Sequence, residues 1–257
     1  YGEAFRREGE EVMTGLGDLA GPRHRQAMIG DVAADGGAGT DGGALADPIF
    51  QWEVGFVPQG ISADLIAACE GFSRQDVDAF AVASQTRCEQ ATADGRFEAS
   101  IVPVRDATGE VVLDRDEHPR PGTTLESLGK LEPSFTEVGK YVQKGDEMSF
   151  NEKAMRTYPE VERIDHVHHA GNSSGIVDGA SALLIASENY VAEHPEAKPR
   201  AKVRSMATAG DEPVIMLTAP APASKVALDK AGMNWGDIDL FEVNEAFAAV
   251  VLKFMKE

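Results

Sequence analysis

The sequence is short of cysteine, of basic residues and of long apolar runs. Its two cysteines, Cys69 and Cys88, are too few for a disulfide framework or a four-ligand structural zinc site, so we expect reduced thiols. No run of residues approaches the roughly 20 apolar residues that a membrane-spanning helix needs. Residues 1–11 are charged where a secretory signal would be apolar. Together these features predict a cytoplasmic protein with no membrane span.

Basic residues are outnumbered by acidic ones. The 24 Lys and Arg against 43 Asp and Glu give a formal net charge of −19, which repels a polyphosphate backbone and argues against nucleic acid as a partner. An anionic ligand, a coenzyme included, would have to be held by backbone amides, a helix end or a few placed cations. With 42% hydrophobic and 26% charged residues, the composition is otherwise that of a globular protein, which excludes fibrous and wholly disordered classes.

The composition and pattern of the sequence change along the chain and predict three parts. Residues 1–43 form an irregular N-terminal segment, with a charged start of some helical character followed by glycine-rich sequence. Residues 44–165 contain two helices, at 61–70 and 73–92, with Ser73 as an N-cap and Asp76 three residues later. A hairpin from 100 to 114 and a polar, irregular excursion from 114 to 150 follow.

From residue 166 to residue 257 the pattern alternates between helix and strand. Glycine and small hydroxyl residues at 171–175 are expected to open a helix-like stretch, and residues 182–186, 202–207 and 238–243 have the composition of strands. Residues 220–231 have helical spacing with Gly232 as a stop, and Asn244 begins a last helix. This order predicts an α/β fold.

Three groups of residues could carry chemistry. The run His166-Val167-His168-His169 allows either a metal site or packed, hydrogen-bonded histidines, because at most two of the imidazoles share a face of a strand. The stretch at 171–181 could let a ligand approach backbone N–H groups, or could be only a tight turn. Asn244-Glu245 after a strand lies where α/β folds place ligands, or is an N-cap followed by a first-turn acid.

Taken together, these stretches resemble the thiolase family, which comprises acetyl-CoA acetyltransferases and 3-ketoacyl-CoA thiolases. Residues 172–180 (NSSGIVDGA) are similar to the family segment Asn-Ala-Ser-Gly-(Ile/Leu)-Asn-Asp-Gly-Ala. Residues 211–216 with 220–223 resemble its Pro-x-x-Met and Pro-x-Pro-Ala stretch, and residues 244–248 reproduce Asn-Glu-Ala-Phe-Ala. The match runs from about residue 41 to residue 257.

The resemblance implies a layered α-β-α-β-α fold with an α-rich loop domain and a CoA-dependent acyltransferase that makes or cleaves 3-ketoacyl-CoA. In that family one cysteine takes the acyl group and a second moves a proton. Carried over by motif, Asn244 would hold the water of an oxyanion hole. Ser174 and Gly175 would touch the pantetheine arm of CoA, and Met216, Ala246 and Phe247 would line its apolar tunnel. Coenzyme A is then a substrate, no cofactor or metal is implied, and family members are dimers or dimers of dimers.

The sequence also departs from the family. The segment that carries the family's nucleophilic cysteine is expected upstream of this sequence, and its Gly-His-Pro and Cys-x-Gly-Gly-Gly segments beyond Glu257. Cys69 and Cys88 lie in helical contexts typical of small buried residues and do not replace the reactive thiols. We therefore expect an incomplete thiolase fold of reduced stability, inactive on its own.

Other functions stay open. The chain could be a CoA-binding or scaffold subunit whose partner supplies the reactive half. A ketoacyl synthase of the same superfamily is disfavoured by Asn-Glu-Ala-Phe-Ala, and a metal hydrolase would have to be built on His166 and His168.

Overall fold

A computed structural model describes residues 54–257 and the backbone of residues 3–6. The helices in this part are α1 (Gln59–Glu70), α2 (Arg74–Ala93), α3 (Leu125–Gly129), α4 (Thr136–Lys140), α5 (Phe150–Thr157), α6 (Glu188–Glu193), α7 (Pro220–Ala231) and α8 (Ala248–Phe254). The strands are β1 (Glu3–Arg6), β2 (Val104–Arg105), β3 (Val111–Leu113) and β4 (Leu240–Val243), and a 3₁₀ helix covers Trp235–Asp237.

The two predicted N-terminal helices are confirmed, and local sequence explains their ends. Helix α1 stops at Gly71, which adopts the left-handed conformation that glycine tolerates, with φ of 72°. Helix α2 begins with a capping box: the Asp76 amide donates to the Ser73 hydroxyl at 3.2 Å, and the Ser73 amide donates to the Asp76 carboxylate at 2.8 Å. These interactions satisfy backbone donors that the first turn leaves free.

The two strand pairs in the described residues are antiparallel. Strands β2 and β3 form the expected hairpin, shorter than predicted, and the Asp106 carboxylate organises its turn by accepting from the Thr108 amide at 2.8 Å and the Glu110 amide at 3.0 Å. Strand β1 pairs with β4, with Glu3 opposite Val243 and Arg6 opposite Leu240. The expected helical start is therefore wrong at residues 3–6, where backbone pairing with β4 decides the conformation. The rest of the predicted segment 1–43 lies outside the described residues.

The polar excursion at 114–150 contains more helix than its sequence predicts, since α3 and α4 interrupt it. It is held against α2 by side chains of that helix. The Arg120 amide donates to Gln85 Oε1 at 2.8 Å, and the Gly122 amide donates to Glu89 Oε2 at 3.2 Å. The excursion therefore follows the surface of α2.

Three expectations for residues 171–207 are wrong. No helix follows residues 171–175, and residues 182–186 and 202–207 form no strands in the described structure. Their apolar side chains are exposed: Ile176 by 97% and Leu184 by 89%. A strand needs a neighbouring strand to accept its backbone hydrogen bonds, and the described residues place none beside these segments.

The C-terminal elements follow the prediction closely. Helix α7 has Pro at its first position and ends at Gly232, whose φ is 69°. Strand β4 lies within the predicted 238–243 segment. The last helix, however, begins at Ala248 with Phe247 as its N-cap, so the prediction that Asn244 starts it is wrong. Residues 244–247 instead form the connection between β4 and α8.

Two clusters of buried apolar residues hold the described part together. The first joins α1 and α2 to α8 and the connections before it, and includes Ile66, Val77, Met216, Phe247 and Val251. The second joins α1 to α5, through residues such as Ile61, Leu65, Phe150 and Ala154. Helix α1 contributes to both clusters and is central to the packing. No helix among the described residues is long and apolar enough to cross a membrane.

The capping box of α2 generates a stability prediction. Replacing Ser73 by Ala removes the acceptor for the Asp76 amide and should lower the free energy of unfolding by about 1 kcal/mol, measured by urea denaturation. Ser187 caps α6, a helix with no buried residues, so Ser187→Ala is the matched control and should leave the main transition unchanged. Equal effects of the two substitutions would contradict this account.

Candidate functional site

The two most distinctive segments of the sequence are bonded backbone to backbone. Ser173 and Phe247 form an antiparallel bridge. On one side of it the Ser174 amide donates to the Ala246 carbonyl at 2.9 Å, and on the other the Ala248 amide donates to the Asn172 carbonyl at 3.1 Å. This pairing brings Ser174 and Ala246, separated by more than seventy positions in the chain, into direct contact.

Apolar side chains pack behind this bridge. Phe247 and Met216 are buried in the same cluster, and Met216 has φ of 29°, a left-handed conformation that a bulky residue adopts only when its surroundings hold it there. Phe135 meets Phe247 edge to face with ring centroids 5.9 Å apart. A Cβ at Gly60 would overlap the Phe135 ring, so this aromatic contact requires glycine in α1.

The outer side of the bridge is open to solvent. Ser174 and Gly175 are exposed, in contrast to the buried Phe247 behind them. The ring of His118, from the excursion, lies against Gly175 so closely that a Cβ there would overlap it. The predicted site residues Ser174, Gly175, Ala246 and Phe247 therefore lie at one bridge with an exposed polar edge and an apolar base, and Met216 belongs to the buried cluster that includes Phe247.

Asn244 lies just before this bridge and is exposed. Its neighbour Glu245 turns inward and accepts from the Ser84 hydroxyl of α2 at 2.7 Å. Burial raises the pKa of Glu245 above its ordinary value, although the Ser84 hydrogen bond acts in the opposite direction. Residues 244–247 are thus tied to α2 through Glu245 and to residue 174 through Ala246.

A buried carboxylate organises the histidine run. Asp64 of α1 is fully buried and accepts four hydrogen bonds: from His166 Nδ1 and His168 Nδ1, each at 2.7 Å, and from the Val167 and His168 amides at 3.0 and 3.1 Å. Burial opposes ionisation, but the His166 and His168 hydrogen bonds and the other donors together outweigh it, so the pKa of Asp64 lies below its ordinary value.

A second buried carboxylate holds the residues that lead into the bridge. Asp78 of α2 accepts from His169 Nε2 and from Asn172 Nδ2, each at 2.8 Å, and pairs with Arg74 at 2.7 Å. The other ring nitrogen of His169 accepts from the Gly171 amide at 3.0 Å. Burial is the main reason that the pKa of His169 is lowered, so the neutral ring is favoured.

These contacts favour packed, hydrogen-bonded histidines over a metal site. His166, His168 and His169 are hydrogen-bonded side chains held by two aspartates of the first two helices. Among the residues that the structure describes, no group of three or more His, Cys, Asp or Glu is arranged to hold a metal ion.

The two cysteines are not among the residues that form the bridge. Cys88 is buried, as expected, but Cys69 is exposed, so the expectation of a buried residue is wrong there. Partial desolvation of the thiol, followed by the charges of Glu160 and Glu70, raises the pKa of Cys69 although the residue is exposed, and burial raises the pKa of Cys88. A raised pKa disfavours the thiolate, which is the nucleophilic form.

Two family models match the chain: Thiolase, N-terminal domain, over residues 51–154, and Thiolase, C-terminal domain, over residues 197–257. The chain is 36% identical to a 3-ketoacyl-CoA thiolase of Marinomonas sp. (strain MWYL1) over 259 residues, which cover 99% of this chain and 58% of that protein. It is 40% identical to an acetyl-CoA acetyltransferase of Shinella zoogloeoides over 192 residues, 74% of this chain and 42% of that protein. The chain belongs to the thiolase family.

Solved thiolase structures confirm the fold class. The human mitochondrial 3-ketoacyl-CoA thiolase superposes with a TM-score of 0.62 at 36% identity, covering 78% of this chain and 44% of that one. The Bacillus anthracis acetyl-CoA acetyltransferase gives a TM-score of 0.61 at 32% identity over the same shares. The chain spans about half the length of the curated relatives it matches.

The sequence did not reveal every residue that shapes this part of the thiolase fold. Asp64, Asp78, Ser84 and Phe135 were not predicted to lie near the site. The one available signal was an acidic residue inside an otherwise apolar helix, as at Asp64 in the run Ile61–Ala68. Such a residue needs buried donors, and the histidine run supplies them.

The Asp64 network predicts a large loss of stability on neutralisation. In Asp64→Asn an amide nitrogen replaces one carboxylate oxygen, so a donor faces the donors of the histidine segment. We expect the free energy of unfolding at pH 7 to fall by about 3 kcal/mol, measured by urea denaturation. Asp239→Asn, at an exposed position, is the control, and a similar small loss in both variants would contradict the role assigned to Asp64.

The lowered pKa of His169 predicts a pH dependence. Since the folded state binds the proton less readily than the unfolded chain, stability is lost as the pH falls below about 6.5, by up to about 1.4 kcal/mol per pH unit. His169→Gln, which keeps a donor toward Asp78, should reduce this slope in denaturation curves recorded at several pH values between about pH 5 and 8. An unchanged slope would show that His169 does not contribute to it.

Proposed function

We propose that this chain is part of an acyltransferase that makes or cleaves 3-ketoacyl-CoA in fatty-acid or ketoacyl-CoA metabolism, and that it contributes the face that binds the CoA thioester. The observation that carries this proposal is the bridge between residues 172–174 and 246–248, because it joins the two segments in which Ser174, Gly175, Ala246 and Phe247 are expected to contact CoA. We place the protein in the cytoplasm as a homodimer or a tetramer, with acyl-CoA and CoA as substrates and no further cofactor.

The family resemblance implies the role of each residue, and the positions of the residues support those roles. The exposed edge at Ser174 and Gly175 would receive the polar pantetheine arm, since a backbone without side-chain bulk lets a ligand approach closely. Met216, Ala246 and Phe247 would form the apolar wall beside it. Asn244, exposed just before the bridge, would hold the water of an oxyanion hole, a kind of donor worth a few kcal/mol in a transition state.

Neither cysteine of this chain is suited to attack the thioester. Both are in helices, neither is part of the bridge, and the thiolate is disfavoured in each. The reacting sulfur would therefore come from elsewhere in the assembled enzyme. The same observation supports the second candidate, a CoA-binding subunit whose partner supplies the reactive half.

Binding of CoA tests the proposal directly. The chain should bind CoA in isothermal titration calorimetry, and Gly175→Ala should weaken binding about tenfold, because the added methyl group displaces His118 and enters the path of the pantetheine arm. Gly179→Ala is the matched control, since a Cβ there meets nothing within 4 Å. Absence of binding by the unmodified chain would contradict the proposed function.

Turnover gives the complementary test. Thiolysis of acetoacetyl-CoA by this chain alone should be absent, and neither Cys69 nor Cys88 should carry an acetyl group after incubation with acetyl-CoA. Robust turnover lost on Asn244→Ala, or acylation of either thiol detected by mass spectrometry, would refute the assignment of a binding role without a nucleophile.

A further inference from the structure

The histidine run has a contact that the proposed roles do not use. His168 is fully buried, and its Nδ1 donates to the Asp64 carboxylate. Its other nitrogen, Nε2, accepts from the Ala249 amide at 3.3 Å. Its ring meets the Phe247 ring edge to face, with centroids 5.5 Å apart. His168 therefore touches both the last residue of the candidate CoA site and the first turn of α8.

Hydrogen bonding fixes the state of this ring. The Ala249 amide can only donate, so Nε2 must carry a lone pair, and Nδ1 must then carry the proton that the Asp64 carboxylate accepts. Asp64 thereby selects the tautomer in which His168 can accept from Ala249. Through the His168 imidazole, the Asp64 carboxylate therefore acts on Ala249 at the start of α8.

The neighbouring His166 provides an internal comparison. It donates to the other oxygen of the same carboxylate at the same 2.7 Å distance. Its Nε2 lies 3.0 Å from Asn151 Nδ2, which belongs to α5 and not to residues 244–249. The two histidines thus share Asp64, while only His168 is seen to contact the site segment.

We propose that His168 is a positioning residue: by accepting from the Ala249 amide and packing on Phe247, it holds residues 244–249 in the conformation that receives the CoA thioester, with Asp64 fixing its tautomer. The proposal rests on the proposed function for its ligand, CoA. Its structural part, the placement of residues 244–249, is independent of that ligand.

Two substitutions at position 168 separate the two contacts. An Asn side chain can place a donor near the position of Nδ1 but cannot reach Ala249, whereas a Gln side chain can place its amide oxygen near the position of Nε2. His168→Asn should accelerate amide hydrogen exchange at Ala248 and Ala249 and weaken CoA binding about tenfold. His168→Gln should restore both toward the unmodified protein.

The control is His166→Asn, which keeps a donor near the position of Nδ1 toward Asp64 and removes the Nε2 contact with Asn151, without touching the site segment. It should lower the melting temperature while leaving the exchange rates at residues 248–249 and the dissociation constant for CoA unchanged. A purely structural role for His168 predicts equal effects of His166→Asn and His168→Asn on both readouts, and that result would overturn the proposal.

The two readouts also separate this proposal from the proposed function. If exchange at Ala249 responds as expected but the unmodified chain does not bind CoA, the positioning role stands and the CoA assignment falls. If the unmodified chain binds CoA and His168→Asn leaves exchange and affinity unchanged, the positioning role falls alone. If His168→Asn does not fold, His168→Gln is the deciding variant. Fast amide exchange at residues 248–249 together with weakened CoA binding in His168→Gln would refute the role of the Nε2 contact.

Discussion

Burial of two aspartates is the constraint on which the described structure depends. A carboxylate inside a protein is tolerated only when donors surround it, and Asp64 and Asp78 obtain theirs from the segment 166–172. The helices that carry the aspartates, α1 and α2, are also the helices against which α8 packs. The hydrogen bonds to the buried carboxylates and the apolar packing therefore both act on α1 and α2.

The candidate site follows from that arrangement. Once Asp78 holds Asn172, the following residues are placed beside the connection that leads to α8, and backbone hydrogen bonds join Ser174 to Ala246 and Asn172 to Ala248. The exposed edge and the apolar base of the bridge come from opposite faces of two short segments. A candidate binding face is thus assembled from distant segments of the described residues.

Much of this fold could be predicted from sequence, and the failures have a common physical origin. Helices α1, α2 and α7 were predicted because caps, stops and apolar spacing are local signals. The strands expected at 182–186 and 202–207 do not form, because strand formation depends on a partner that the segment itself does not encode. Strand β1 was missed for the same reason: its pairing with β4 joins opposite ends of the sequence.

The candidate site shows the same difference between local signals and contacts over long sequence distances. Family motifs marked Ser174, Gly175, Met216, Ala246 and Phe247 as candidates, and the structure joins the segments of Ser174 and Ala246 through one bridge. The partners Asp64, Asp78 and Ser84 lie outside these family motifs, and each acts through a contact between distant segments. Sequence motifs therefore point to candidate ligand-contacting residues more readily than to the residues that hold those candidates in position.

The protonation states of the adjacent histidines test the central claim most directly. The hydrogen bonds to Asp64 and Ala249 require the Nδ1–H tautomer at His168, while those to Asp78 and Gly171 require the Nε2–H tautomer at His169. NMR of the ring nitrogens in ¹⁵N-labelled protein at neutral pH should show these opposite tautomers in consecutive residues. The same tautomer at both positions, or rapid exchange between tautomers, would contradict an arrangement held by two buried aspartates.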